Sequence, residues 1–138
     1  MEAIRYKFQD LLIYQKALDY VDQVYKITQS WPKQEEFNLI SQARRAATSV
    51  VLNIAEGSTG QSDLEQSRFL GLALRSYLET IATLDMAQRR GYLQPQESQL
   101  SRTSGHELFV KIQALRSSLR ERSRGGSAYG VRDEESSG

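Results

Sequence analysis

The side chains of this 138-residue chain best suited to chemistry are its arginines. Arg116, Arg120 and Arg124 recur at four-residue steps, which places them along one face of a helix, and Arg122 and Lys111 lie close by. Arg89 and Arg90 stand together just before Gly91. From Gln94 to Arg124 there are six basic residues against three acidic ones, an excess that suits contacts to phosphates or to an acidic protein face. A solvated helix face has the same pattern. Aromatic side chains are not interleaved with these arginines, so any nucleic-acid contact they make is expected to read backbone and shape rather than sequence.

Other chemistries lack their residues. Cysteine is absent, which removes disulfides, thiolate zinc sites and cysteine nucleophiles together. The single histidine, His106, rules out metal sites that need two imidazoles, including the paired Glu-x-x-His of di-iron bundles. Ser104 and Glu107 flank it, but they are near neighbours on one segment and no oxyanion element accompanies them. Neither Gly-x-Gly-x-x-Gly nor a phosphate-cradling loop occurs. No catalytic residue, metal or cofactor is expected.

A second polar set, Gln42, Arg45, Ser49, Asn53 and Glu56, also falls at helical spacing. If buried, such groups must bond to one another or to a neighbouring helix. Arg44 or Arg45 is expected to pair with Glu56 or with Glu79. With Asn53 these residues form a candidate structural network, of the kind that fixes helix register rather than performing a reaction.

Four helices are expected to position these groups. Leu11, Tyr14, Leu18, Val21, Tyr25 and Thr28 mark the first, about 10–30, which Trp31-Pro32 stops. Ile40, Ala43, Ala47, Val50 and Ile54 mark the second, about 33–56, with Gly57 supplying a left-handed end. Ser62 and Glu65 form a capping box that opens the third, about 62–90, with Leu70, Leu74, Tyr77, Ile81 and Leu84 on its stripe. Pro95 suits the first turn of the fourth, about 95–122, which carries Leu108, Ile112, Leu115 and Leu119, although Ser104-Gly105 weakens its early part. Short connections favour an all-α, antiparallel up-down-up-down four-helix bundle over residues 1–122. Residues 123–138 are Gly, Ser and charges and read as a flexible polar tail.

Composition bounds the class further. Charged residues make up 25% and hydrophobic ones 39%, enough for one folded domain, and the net charge of +1 predicts no partner. No apolar run is long enough for a bilayer and no basic-then-apolar leader opens the chain, so a cytoplasmic protein is expected. The second helix stands out. Between Phe37 and Gly57 only Arg44, Arg45 and Glu56 are charged, which suits either a central helix of the bundle or a subunit interface.

The block Gln42-Ala43-Arg44-Arg45-Ala46-Ala47-Thr48-Ser49-Val50, followed by Asn53-Ile54-Ala55-Glu56-Gly57, resembles the signature of the four-helix-bundle proteins encoded in 23S ribosomal RNA intervening sequences. Asp10-Leu11, Gln15-Lys16-Ala17, Trp31-Pro32, Phe69-Leu70, Ala73, Ser76, Glu79 and Gly91-Tyr92-Leu93 extend the likeness over about residues 8–93. Tyr14 replaces the family's usual tryptophan, and Arg75 a glycine that commonly precedes the serine.

The resemblance implies a protomer that assembles as a ring-shaped homopentamer. One related branch, the accessory variability determinants of diversity-generating retroelements, binds a reverse transcriptase and engages its template RNA. The expectation is therefore a non-enzymatic, oligomeric adaptor for RNA and a protein partner, most sharply such an accessory subunit. Arg89, Arg90, Lys111, Arg116, Arg120, Arg122 and Arg124 are its candidate contacts. A purely structural interaction protein with no nucleic-acid role is the competing expectation.

Overall fold

The computed structural model describes residues 3–60 and 62–127, side chains through 125, and is all-helical over its regular elements. A 3₁₀ turn, Lys7–Asp10, precedes α1, Leu12–Thr28. A second 3₁₀ turn, Lys33–Glu35, and a wide π-type turn, Glu36–Ile40, lead into α2, Ser41–Gly57. Then come α3, Asp63–Arg89, and α4, Pro95–Ser127. Each helix packs beside the next and α4 returns to α1, which closes a four-helix bundle. Neighbours run antiparallel. Asp63, Ser67 and Asp85 of α3 meet Arg122, Arg116 and Arg102 of α4 in descending order, and Lys16 and Gln23 of α1 meet Glu107 and Ser104.

Ile54, Leu70, Leu84, Leu108, Ile112 and Leu119 are almost wholly buried at the centre. In α1 the buried positions are Ile13, Ala17, Tyr20, Val24, Ile27 and Thr28, of which only Thr28 belongs to the expected stripe and the others lie one step round from it. Leu11, Tyr14, Leu18 and Val21 pack at its margin, and Tyr25 is exposed. Two apolar stripes lie side by side on this helix, because α1 must face both α2 and α4. Within the protomer α2 lies between α1 and α3. Its buried residues include Ala43, Ala46, Ala47 and Val50, small enough for α1 and α3 to approach closely.

The ends differ from expectation at four places. α2 begins at Ser41, not at 33, because the Glu35 side chain folds back onto the Leu39 N–H and Asn38 Nδ2 and widens the turn. Gly57 is not left-handed. It is small because a Cβ there would stand 2.7 Å from Phe69 Cβ. At Ser62 only half of the expected reciprocal cap forms: its Oγ accepts from Glu65 N at 3.0 Å, while the Glu65 carboxylate turns to Arg68. Finally α4 passes through Ser104-Gly105 unbroken and runs to Ser127, so residues 123–127 of the expected tail are helical. Residues 128–138 of that tail lie outside the described residues.

The end of α3 fixes the corner between this helix and α4. Gly91 has φ +80, a conformation that costs glycine little. It allows Tyr92 N to donate to Ala87 O at 2.9 Å and Gly91 N to Gln88 O at 3.0 Å. Tyr92 is thereby turned back against the α1–α2 connection.

Candidate interaction surfaces

The arginines of α4 divide into two groups. Arg116 is spent within the bundle: its Nε donates to Ser67 O at 3.3 Å, and its guanidinium lies where a side chain at Gly71 would be. Arg122 makes a two-point pair with Asp63, Nε to Oδ2 at 3.0 Å and Nη2 to Oδ1 at 2.9 Å. These bonds hold the Asp63 carboxyl below its usual range and stabilise the charged guanidinium. Arg120 is exposed, while Arg124 and Lys111 are half-buried. The expected continuous stripe of Arg116, Arg120 and Arg124 is therefore interrupted at its first member, because Gly71 opens a slot on α3 that a long side chain can fill. Arg102, on the same helix, pairs with Asp85.

At the opposite end of the bundle Arg89 and Arg90 are both exposed. They adjoin a corner built around Glu35, which is only 9% exposed. Its carboxylate accepts from the Tyr92 hydroxyl and Asn38 Nδ2, each at 2.9 Å. The Tyr92 bond above all, then Asn38 and Leu39 N–H, holds this carboxyl below its usual range against the cost of desolvation. The Tyr92 hydroxyl is pushed up in return. Trp31 packs on Tyr92 with ring centroids 6.3 Å apart.

The expected network of Arg44, Arg45, Asn53, Glu56 and Glu79 does not assemble. Arg44 reaches back to α1 instead. Its Nε donates to Thr28 Oγ1 at 2.9 Å, one Nη to Tyr25 O at 3.3 Å, and its guanidinium sits 4.3 Å from the centre of the Tyr25 ring. It thus satisfies and screens the negative C-terminus of α1. Asn53 Nδ2 donates to Ser49 O of its own helix. Arg45, Glu56 and Glu79 are exposed, and no ion pair among the described residues uses any of them. The polar stripe of α2 is its solvent face, because the smaller residues of this helix fill its buried sides.

Nor do Ser104, His106 and Glu107 form a relay. Ser104 Oγ donates to Gln23 Oε1 at 2.8 Å, Glu107 pairs with Lys16 at 3.5 Å, and the exposed His106 ring stacks near Phe109.

One class of residue is not singled out by sequence reasoning. Phe37, Leu52, Leu64, Leu78 and Met86 are large, apolar and between 41% and 91% exposed. These five belong to α2, α3 or the turn that leads into α2, and Leu12 of α1 and Leu100 and Val110 of α4 are exposed likewise. Periodicity marks Leu64, Leu78 and Met86 as lying off the buried stripe of α3, and that is the signal from which they are legible.

The family model described as 23S rRNA-intervening sequence protein matches residues 9–118. The chain belongs to this family. Members are thus alike over α1, α2, α3 and most of α4, while the last turns of α4 fall outside the match. Among solved structures, a protein of unknown function from the S23 ribosomal protein family of Bacteroides thetaiotaomicron shares the fold. Its TM-score is 0.67 at 23% identity, over 75% of this chain and 97% of that one. No curated protein matches. Among the described residues no helix is long and apolar enough to cross a membrane.

Proposed function

We propose that the protein is a non-enzymatic scaffold that assembles with copies of itself into a ring-shaped pentamer and holds RNA together with a protein partner. In the sharpest form of this reading the partner is the reverse transcriptase of a retroelement. The observation that carries it is the position of Arg89, Arg90 and Arg120, exposed basic side chains at the end of α3 and within the last turns of α4. Such placement suits phosphates, which a protein binds by charge and spacing rather than by an enclosing cavity. Family membership supports the assembly, and the exposed apolar side chains of α2 and α3 supply surface for contacts between copies or with the partner.

The test is charge reversal. Arg89→Glu with Arg90→Glu, and separately Arg120→Glu, should weaken RNA binding and flatten its salt dependence while the far-ultraviolet dichroism stays that of the wild type. Wild-type affinity in these variants would refute the assignment. The competing reading, a structural interaction protein with no nucleic-acid role, is favoured by Leu64, Leu78 and Met86 sharing the outward face of α3. Under that reading, partners survive nuclease treatment in a pull-down and the arginine reversals leave them in place.

A further inference from the structure

Phe37 is 91% exposed, more than any other large apolar side chain among the described residues. Its sequence neighbours Lys33, Gln34, Glu36 and Asn38 are all exposed and polar. It does not hang on a loose loop. The turn that bears it is fastened from within by Glu35, which takes hydrogen bonds from Asn38 Nδ2, Leu39 N and the Tyr92 hydroxyl. The last of these ties the turn to the end of α3. Phe37 lies two residues after Glu35, and Arg90 two residues before Tyr92, the two partners of this bond. The Arg90 charge also acts on both partners of that contact. An exposed aromatic ring on a fastened turn is thereby placed at the end of the bundle that bears the exposed Arg89, Arg90 and Lys33.

We propose that Phe37 is a stacking platform for an unpaired base of single-stranded RNA, with Arg89 and Arg90 holding the adjoining phosphates. The inference rests on the RNA-binding reading above and specifies the RNA: unpaired rather than helical. Every base has a face that stacks on a phenyl ring, whereas a duplex offers such faces only at its ends. An apolar protein pocket would instead call for several clustered apolar side chains, and Phe37 has polar residues on either side. The arginines of α4, without interleaved aromatics, lack this second element.

The full-length protein is titrated by fluorescence anisotropy against a labelled oligouridylate of about twelve nucleotides, and against a duplex RNA of equal length. Phe37→Ala should weaken oligouridylate binding about 5- to 160-fold, the range that corresponds to about 1–3 kcal/mol per stacked base. Duplex binding should be unchanged, and Phe37→Trp should restore the oligouridylate affinity. If Phe37→Ala binds oligouridylate as the wild type does while Arg89→Glu with Arg90→Glu does not, stacking is refuted and the RNA reading stands. If the wild type binds neither RNA, both fail. A change in oligomeric mass in Phe37→Ala, or loss of a protein partner with RNA binding intact, would assign the ring to a protein interface and overturn the proposal.

Discussion

Gly105→Ala should destabilise the bundle although it replaces the poorest helix former short of proline with the best. A glycine in the middle of a helix costs about 1 kcal/mol relative to alanine, so propensity alone favours the change. Packing opposes it. A Cβ at position 105 would stand 2.9 Å from Tyr20 Cε1, Tyr77 Cε1 and Tyr77 Oη. Ordinary carbon contacts are about 3.5–4.0 Å, so each ring must retreat by roughly 0.6 Å or more. The rings are 3% and 5% exposed, with centroids 5.6 Å apart, so both are packed in the core. Overpacking of this kind costs about 1–3 kcal/mol, and the upper figure applies because two rigid groups are displaced. The net loss is about 2 kcal/mol, or roughly 8 °C in Tm for a chain of this size. Gly71→Ala is the control. Its would-be Cβ meets only the guanidinium of Arg116, the far end of a flexible side chain, so it should match or exceed the wild type by up to about 1 kcal/mol. Thermal unfolding followed by circular dichroism at one fixed protomer concentration gives both values. Gly105→Ala as stable as Gly71→Ala would refute the reasoning.

Ile54→Ala, at a site with no exposure in α2, should cost about 2–5 kcal/mol in chemical denaturation, and a loss under about 1 kcal/mol would mean that the core is not centred there. Ser62→Ala removes the cap on Glu65 N and should cost about 1 kcal/mol; no change in the denaturation midpoint would contradict the cap. The Asp63 carboxyl is held low by Arg122, so its contribution is present above the ordinary aspartate range near about pH 4 and lost as pH falls through and below it. Asp63→Asn should therefore be less stable than the wild type at neutral pH and equal to it in acid, and superimposable pH profiles would exclude the pairing. Tyr92→Phe removes the bond that holds the Glu35 carboxyl down, so the wild type's advantage over this variant should likewise shrink as the medium becomes acid.

Helix number, order and most core positions are legible because apolar periodicity is a direct image of burial: Leu70, Leu74, Tyr77 and Leu84 in α3 can be read from spacing alone. What escapes is decided by pairs distant in sequence. Spacing shows that Arg116, Arg120 and Arg124 share a face, but only the slot at Gly71 on another helix shows that Arg116 is consumed there. Arg44 and Arg45 are adjacent and chemically alike, and the C-terminus of α1 selects the first. The Glu35 side chain that widens the turn before α2 also accepts from Tyr92, 57 residues away. Phe37 escapes too, because an aromatic residue at the edge of an apolar segment reads as core until its burial is known.

An oligomeric scaffold that carries RNA is tested most directly by size exclusion with light scattering on protein purified without nuclease, with absorbance read at 260 and 280 nm in the same peak. The expected result is a mass near five protomers with excess absorbance at 260 nm. A monomer of 15.7 kDa free of nucleic acid would contradict it.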